Sequence, residues 1–281
     1  MIVLGVSKLG LLGLLAGLRP HMDPRVKFDL SNRGIGTLRL AAADGVLVGT
    51  VVDKRMTRSI AAATLLLSAE GDCEDVWIGA NAVSAIVGML EVSEARECVV
   101  DVAKQWIEVR EEGVVWGGRK IRVPRMSAPW SEDTVDPTQS ISQALVAPML
   151  MMQEEILQAD DCRLFSKTCK ALGAPLMVRE VLTGNALTYV WGGTGADEES
   201  AWFVGVSNGP ITADAVTTGE LPTSGDWLEV LAQVPVVADE EPETYVGRGI
   251  SSIEAYANSE DVDEDDELDD EREYEDGGDG E

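Results

Sequence analysis

The stretch DVWIGANAVSAIVGML (residues 75–90), followed by CVVDV (98–102) and QWIEVR (105–110), changes its hydrophobic period twice, and that change decides the fold class. Val76–Ile78 is an apolar run of strand length. From Asn81, a residue type that caps helices, Val83, Ile86, Val87 and Leu90 recur at helical spacing. The period then returns to two. CVVDV, QWIEVR and VVWGG, separated by Ala103-Lys104 and Glu112-Gly113, predict a three-stranded meander, and KIRVP (120–124) closes the region. Strand, helix and several antiparallel strands make an α+β unit.

Upstream the same order occurs once already. A strand at Ile2–Gly5 runs into a buried helix around Lys8–Leu18, ended by Pro20. VKFDL (26–30) alternates, Asn32-Arg33-Gly34 marks a turn, and GTLRLAAAD leads to Asp44-Gly45, a strong tight-turn signal before VLVGTVV (46–52). Thr64–Ser68 is a further apolar run. The pattern is a duplication of a unit of about 60 residues, visible in the order of elements.

Downstream, RMSAPWSEDTVDPTQ (125–139) reads as a linker. Ile141–Leu157 predicts an amphipathic helix interrupted at Pro148, and Asp160–Leu172 a second helix with acids at its start and Lys170 near its end. Leu176–Leu182, Leu187–Trp191 and Trp202–Val206 are strands. These readings divide the chain into domains 1–124 and 140–239, a connector 125–139 and an acidic tail 240–281. The end of that tail, SEDVDEDDELDDEREYEDGGDGE, lacks the apolar area to offset its ordering entropy, which predicts disorder.

Charge is unevenly placed. The net charge of -28 arises wholly after residue 125, since residues 1–125 hold 16 Lys/Arg against 15 Asp/Glu. Residues 260–281 hold 15 acids and one arginine. Such a chain does not wrap phosphate backbones broadly, but a local cationic surface remains able to meet one. Arg163, Lys167 and Lys170 share one face of the Asp160–Leu172 helix and are half of the six basic residues beyond position 125. Pairing with Asp160 or Asp161 is the competing reading of that stripe.

No catalytic apparatus can be assembled. There is no GxxxxGK[ST] loop or GxSxG elbow, Gly34-Ile35-Gly36 falls short of a dinucleotide fingerprint, and the acid pairs show no convergence. His21 is the single histidine, and Cys73, Cys98, Cys162 and Cys169 contain no CxxC pair, so no metal site or cofactor is expected. Free thiols suit a reducing, cytoplasmic setting. Residues 1–18 are apolar, but Lys8 and four glycines interrupt them, which argues against export or membrane insertion.

The helix around Lys8–Leu18, VKFDL, GIGTLRLAAADGVLVGTVV, and VWIGANAVSAIVGML with CVVDV and QWIEVREEG together resemble the repeating domain of DNA polymerase sliding clamps, over roughly residues 1–124. DDCRLFSKTCKALG, LMVREVL, ALTYVWGG and AWFVGVSNGP look like part of a second such domain. The resemblance implies DNA-clamp-like domains of paired helices on antiparallel sheets, in the two-domain trimeric type, which includes some phage clamps. It implies a homotrimeric ring around double-stranded DNA that tethers a DNA polymerase and other replication proteins, in the cytoplasm (the host's if the chain is of phage origin). Lys8, Arg19, Arg163, Lys167 and Lys170 would then lie near the pore, and Met126, Pro129 and Trp130 in the connector would hold partner motifs. One departure is the Asn81–Leu90 helix, which carries no Lys or Arg. The alternatives are an acidic adaptor or DNA-mimicking protein, or a viral assembly component, without catalytic activity.

Overall fold

The computed structural model describes residues 2–26, 34–53, 55–70, 76–113, 118–126, 137–149, 157–183, 186–195, 199–209 and 231. All of them fall within Met1–Val237, one of two units into which the chain divides. No helix among them is long and apolar enough to cross a membrane.

The order of elements is β1 (Ile2–Ser7), α1 (Lys8–Leu18), a 3-10 turn (Arg19–His21), β2 (Leu38–Ala43), β3 (Val46–Val52), β4 (Arg58–Glu70), β5 (Val76–Ile78), α2 (Ala80–Glu91), β6 (Glu97–Val102), β7 (Trp106–Glu112), β8 (Lys120–Pro124), α3 (Pro137–Val146), α4 (Ala159–Leu172), β9 (Met177–Thr183), β10 (Ala186–Thr194) and β11 (Trp202–Asn208). The unit strand–helix–three strands thus occurs twice before residue 125. The two copies exchange their leading strands: β1 pairs with β6, and β5 pairs with β2. α4 with β9, β10 and β11 repeats the helix and three strands once more.

All strand pairs are antiparallel, and β4 joins two sheets. Its first part pairs with β3 and with β11, giving the order β5-β2-β3-β4-β11-β10-β9. Its last residues, Leu66–Glu70, pair with β1, from which β6, β7 and β8 follow. A register shift between Gly5 and Val6 marks the crossing. The β2–β3 hairpin turns at Asp44 and Gly45, both at positive φ (47° and 83°), the geometry a two-residue hairpin turn requires.

The sheets bury one continuous core beneath α1, α2 and α4. Leu4, Val6, Leu38, Leu47, Ile60, Val100, Ile107, Phe165, Trp191 and Phe203 meet there. α1 packs against both α2 and α4 as well as β3 and β4, which is why it is apolar nearly all round. On the opposite face of the β4–β11–β10–β9 sheet, α3 lays Ile141, Ala144 and Leu145 on Ala61, Val181, Val190, Val204 and Val206. That sheet is therefore covered on both sides.

Several expectations shift in detail. α2 begins at Ala80 behind an extended Gly79 (φ -79°, ψ 158°), so Asn81 lies inside the first turn. The expected strand at Val26–Leu30 falls mostly on residues outside those described, and Val26 itself is in no strand. The Ile141–Leu157 helix proves to be α3, starting at Pro137 and ending before Pro148; residues 150–156 lie outside the described set. The acidic segment 240–281 lies there too, as do Cys73, Pro129 and Trp130.

Candidate nucleic-acid interface

α4 is the element that gathers the predicted basic residues. Its buried stripe is Asp161, Phe165, Thr168, Cys169 and Leu172. At 3.6 residues per turn this leaves Arg163, Lys167 and Lys170 on the outward face, and all three are exposed. The helix ends at Gly173, whose left-handed φ of 64° lets its N–H reach back to Lys170 and that of Ala174 to Cys169. Lys170 in the last turn and Asp160 and Asp161 in the first complement the helix dipole.

Three contacts hold α4 in place. Phe165 stacks on Trp191 with ring centroids 4.7 Å apart and planes within 8°. A Cβ on Gly205 of β11 would lie 2.5 Å from the Phe165 ring, so the absence of a side chain there creates the seat. Next, α1 offers Gly17: a Cβ there would meet Leu172 Cδ1 at 3.1 Å and Thr168 Cγ2 at 3.4 Å. The two helices can therefore touch backbone to side chain, and Thr168 Oγ1 donates to the Gly17 carbonyl at 2.8 Å.

The third contact is ionic. Arg58 Nε at the start of β4 donates to Asp161 in the first turn of α4, and Arg58 Nη1 donates to Asp53 at 3.1 Å. The Asp161 and Arg58 side chains are 2% and 13% exposed, so the pair sits largely out of water. Removing one partner of such a pair would strand the other charge.

His21 belongs to the same junction. It lies against Phe165 (4.9 Å between centroids), and its Nε2 is 3.0 Å from Thr168 Oγ1. Because that hydroxyl donates to Gly17, Nε2 carries the proton, and Nδ1 is left buried without a partner. Burial first, and then the nearby Arg58 charge, push the His21 pKa down to about 3. The imidazole is neutral and acts as a spacer between α1 and α4.

The other basic residues separate into two groups. α1 and α4 run antiparallel, with Gly13 beside Leu172 and Gly17 beside Thr168. The exposed Arg19 at the end of α1 consequently lies toward the Arg163–Lys167 half of α4. Lys8 sits at the other end of α1, where its Nζ donates to the Ser93 carbonyl just beyond α2 at 2.6 Å. Arg163 Nη2 pairs with Asp160 at 3.1 Å, but both side chains are more than 60% exposed, so water and salt weaken that tie. α2 exposes Asn81, Ser84, Ala85, Gly88 and Glu91, so it shows no cation and its one exposed charge is acidic.

Among the connector residues, Met126 donates its backbone N–H to the Trp77 carbonyl at 2.8 Å and is buried, so it anchors the connector to β5. Cys98, Cys162 and Cys169 are free thiols. Burial holds the pKa of Cys98 and Cys169 up near about 11, which keeps them protonated. Sequence reasoning missed Arg58, Asp53 and the role of Asp161. An arginine 103 residues from its partner leaves no mark in local spacing.

No protein-family model matches the chain, and no curated protein matches its sequence. Solved structures similar to it include the DNA polymerase III beta subunit of Thermotoga maritima, at 10% identity and a TM-score of 0.48 over 76% of this chain. This chain covers 65% of that one's length. Entamoeba histolytica Proliferating Cellular Nuclear Antigen gives 9% identity and a TM-score of 0.49, covering 74% of this chain and 98% of the other. A. fulgidus PCNA, with the C-terminal region of FEN-1 bound, gives 10%, 0.46, 76% and 100% in the same order. These are likenesses of fold to DNA clamps at low identity.

Proposed function

We propose that this chain is a DNA sliding clamp subunit, a processivity factor that holds a DNA polymerase to duplex DNA. The observation that carries the reading is the outward cationic face of α4 (Arg163, Lys167 and Lys170), beside Arg19 in the layer of helices that covers the sheets. A helix face of this kind meets a phosphate backbone without reading bases, which is the contact a protein that must slide requires. Lys8, at the far end of α1, adds a more distant charge to the same layer.

The reading carries the sequence resemblance with it. Residues 1–124 form one clamp-like domain, 125–139 the connector and 140–239 a second, divergent domain. Three copies close a homotrimeric ring in the cytoplasm, and Met126, Pro129 and Trp130 receive partner motifs. The protein contributes topology and tethering, while the polymerase contributes chemistry. The excess of acid in residues 260–281 favours a second reading, an adaptor that mimics DNA toward a basic partner.

The native mass, measured by light scattering across a wide concentration range, tests the ring. A discrete trimer is expected. A strict monomer at every concentration would overturn the ring and leave the adaptor.

A further inference from the structure

On the sheet face turned away from α1, α2 and α4, one cross-strand row runs through Trp77 (β5), Arg39 (β2), Thr50 (β3), Ala61 (β4) and Val204 (β11). Alternation fixes that face: Val76 and Ile78, Leu38 and Leu40, and Val51 belong to the inner core, so Trp77, Arg39 and Thr50 point the other way. The far end of the row is apolar, with Ala61 and Val204 beneath Ile141, Ala144 and Leu145 of α3. The near end is polar and equally buried. Trp77, Arg39 and Thr50 are 4%, 3% and 2% exposed.

Those three side chains set a chemical demand. An indole N–H and a guanidinium only donate hydrogen bonds. Trp77 Nε1 and Thr50 Oγ1 have no hydrogen-bond partner among the described residues, and neither residue brings Arg39 a negative charge. A buried cation is stable beside an anion, and buried donors are stable beside an acceptor. A carboxylate lying over the row meets both needs at once, whereas an apolar cover meets neither.

The path of the chain points to the source of that carboxylate. Met126 donates its backbone N–H to the Trp77 carbonyl at 2.8 Å, so the connector starts at the polar end of the row. α3 starts at Pro137 and packs on β3, β4 and β11 from the same outer face. Residues 127–136 therefore join the two ends, across roughly 14 Å from β5 to β4, a span they cover with length to spare. Their sequence, SAPWSEDTVD, holds three acids and no base. Asp136 stands directly before Pro137, the place of a helix cap, which leaves Glu132 and Asp133 for the row.

We infer that Arg39, Trp77 and Thr50 form a carboxylate-binding site whose ligand is the connector's own Glu132 or Asp133, a latch that holds this segment down on the sheet. The carboxylate accepts from the guanidinium and from the indole N–H, and the Thr50 hydroxyl donates to its remaining lone pairs. Pro129 and Trp130 then belong to a short loop pinned on one side by Met126 and on the other by the latch. Neutralising Arg39 frees that loop. The inference rests on the row and the chain path, and stands whether or not the chain forms a ring.

The test is subtilisin cleavage of the full chain between residues 126 and 137, timed and mapped by mass spectrometry. The wild type should be cut slowly there. Cleavage follows the population of the opened segment, so Arg39→Met should speed it about tenfold or more, and so should Glu132→Gln with Asp133→Asn. The three changes together should be no faster than either variant, because both remove one contact. Arg39→Lys keeps the charge and should be cut more slowly than Arg39→Met. The connector variant alters no residue of the row, so it carries the test even if Arg39→Met unfolds. Asp75→Asn, at an acid two residues from Trp77, should be cut like the wild type. Unchanged cleavage in the connector variant, effects that multiply when the changes are combined, or a gain in Asp75→Asn equal to that in Arg39→Met would each overturn the inference.

Discussion

α2 and α4 both pack against α1 on the same side of the sheets, yet they are held and exposed in opposite ways. α2 is fixed by apolar side chains (Val83, Ile86, Val87 and Leu90) and shows the solvent small uncharged residues and, at its end, the acidic Glu91. α4 is fixed by an aromatic stack, an ion pair and a hydroxyl bond to a helix carbonyl, and shows the solvent three cations. Dispersion and hydrophobic burial hold α2 by area, indifferent to salt and nearly so to pH. The polar junction holds α4 at a defined position and makes it answer to charge. For the face proposed above to meet phosphates, that kind of seat would fix its height.

The difference gives a ranked set of expectations. Asp161→Asn should cost the most, about 3–5 kcal/mol in urea unfolding, because Arg58 keeps only Asp53 and remains largely buried. Leu90→Ala in α2 should cost about 3 kcal/mol, and that loss should be the same at low and high salt. Should the two variants respond equally to salt, the contrast between the helices would be wrong.

Acid should loosen α4 before α2. The folded pKa of His21, about 3, lies below its ordinary 6.5, so the unfolded chain binds the extra proton between those values. Its contribution is complete above pH 6.5 and declines as pH falls toward 3. At pH 5 the loss is about 2 kcal/mol, from about 1.4 kcal/mol per pH unit. His21→Phe should give a flatter stability curve over pH 4.5–6.5 than the wild type, and parallel curves would assign the acid response to carboxylates instead.

Smallest for stability, Ser84→Lys with Gly88→Lys on the exposed face of α2 should stabilise the fold by about 1 kcal/mol, since a helix glycine with open space at its Cβ gives way to a better helix former. If α2 faces the same duplex as α4, these two cations should raise duplex affinity several-fold. No gain would confine the contact to the α4 side.

Much of this architecture is written locally. The Asp44-Gly45 hairpin, the helical recurrence from Val83 to Leu90 and the stripe of Arg163, Lys167 and Lys170 are all legible because each depends on residues within two turns of one another. β4 is less so: RSIAAATLLLSAE does not alternate, because its first half is covered on both faces and its second half passes to the other sheet. α1 hides its orientation by being apolar all round. The seat of α4 depends on Arg58, Gly205 and Gly17, whose roles appear only when three distant segments meet. The cationic face was therefore readable, and the device that positions it was not.

The most direct test of the central claim is the affinity for a short duplex as salt is raised, in wild type and in Arg163→Glu with Lys167→Glu and Lys170→Glu. The wild type should bind at low salt and weaken as salt rises. The variant should lose most of that affinity, with the log–log slope reduced by about 2–3 at roughly 0.9 per phosphate contact. Equal affinity and equal slope in the two proteins would contradict the account and remove α4 from any contact with DNA.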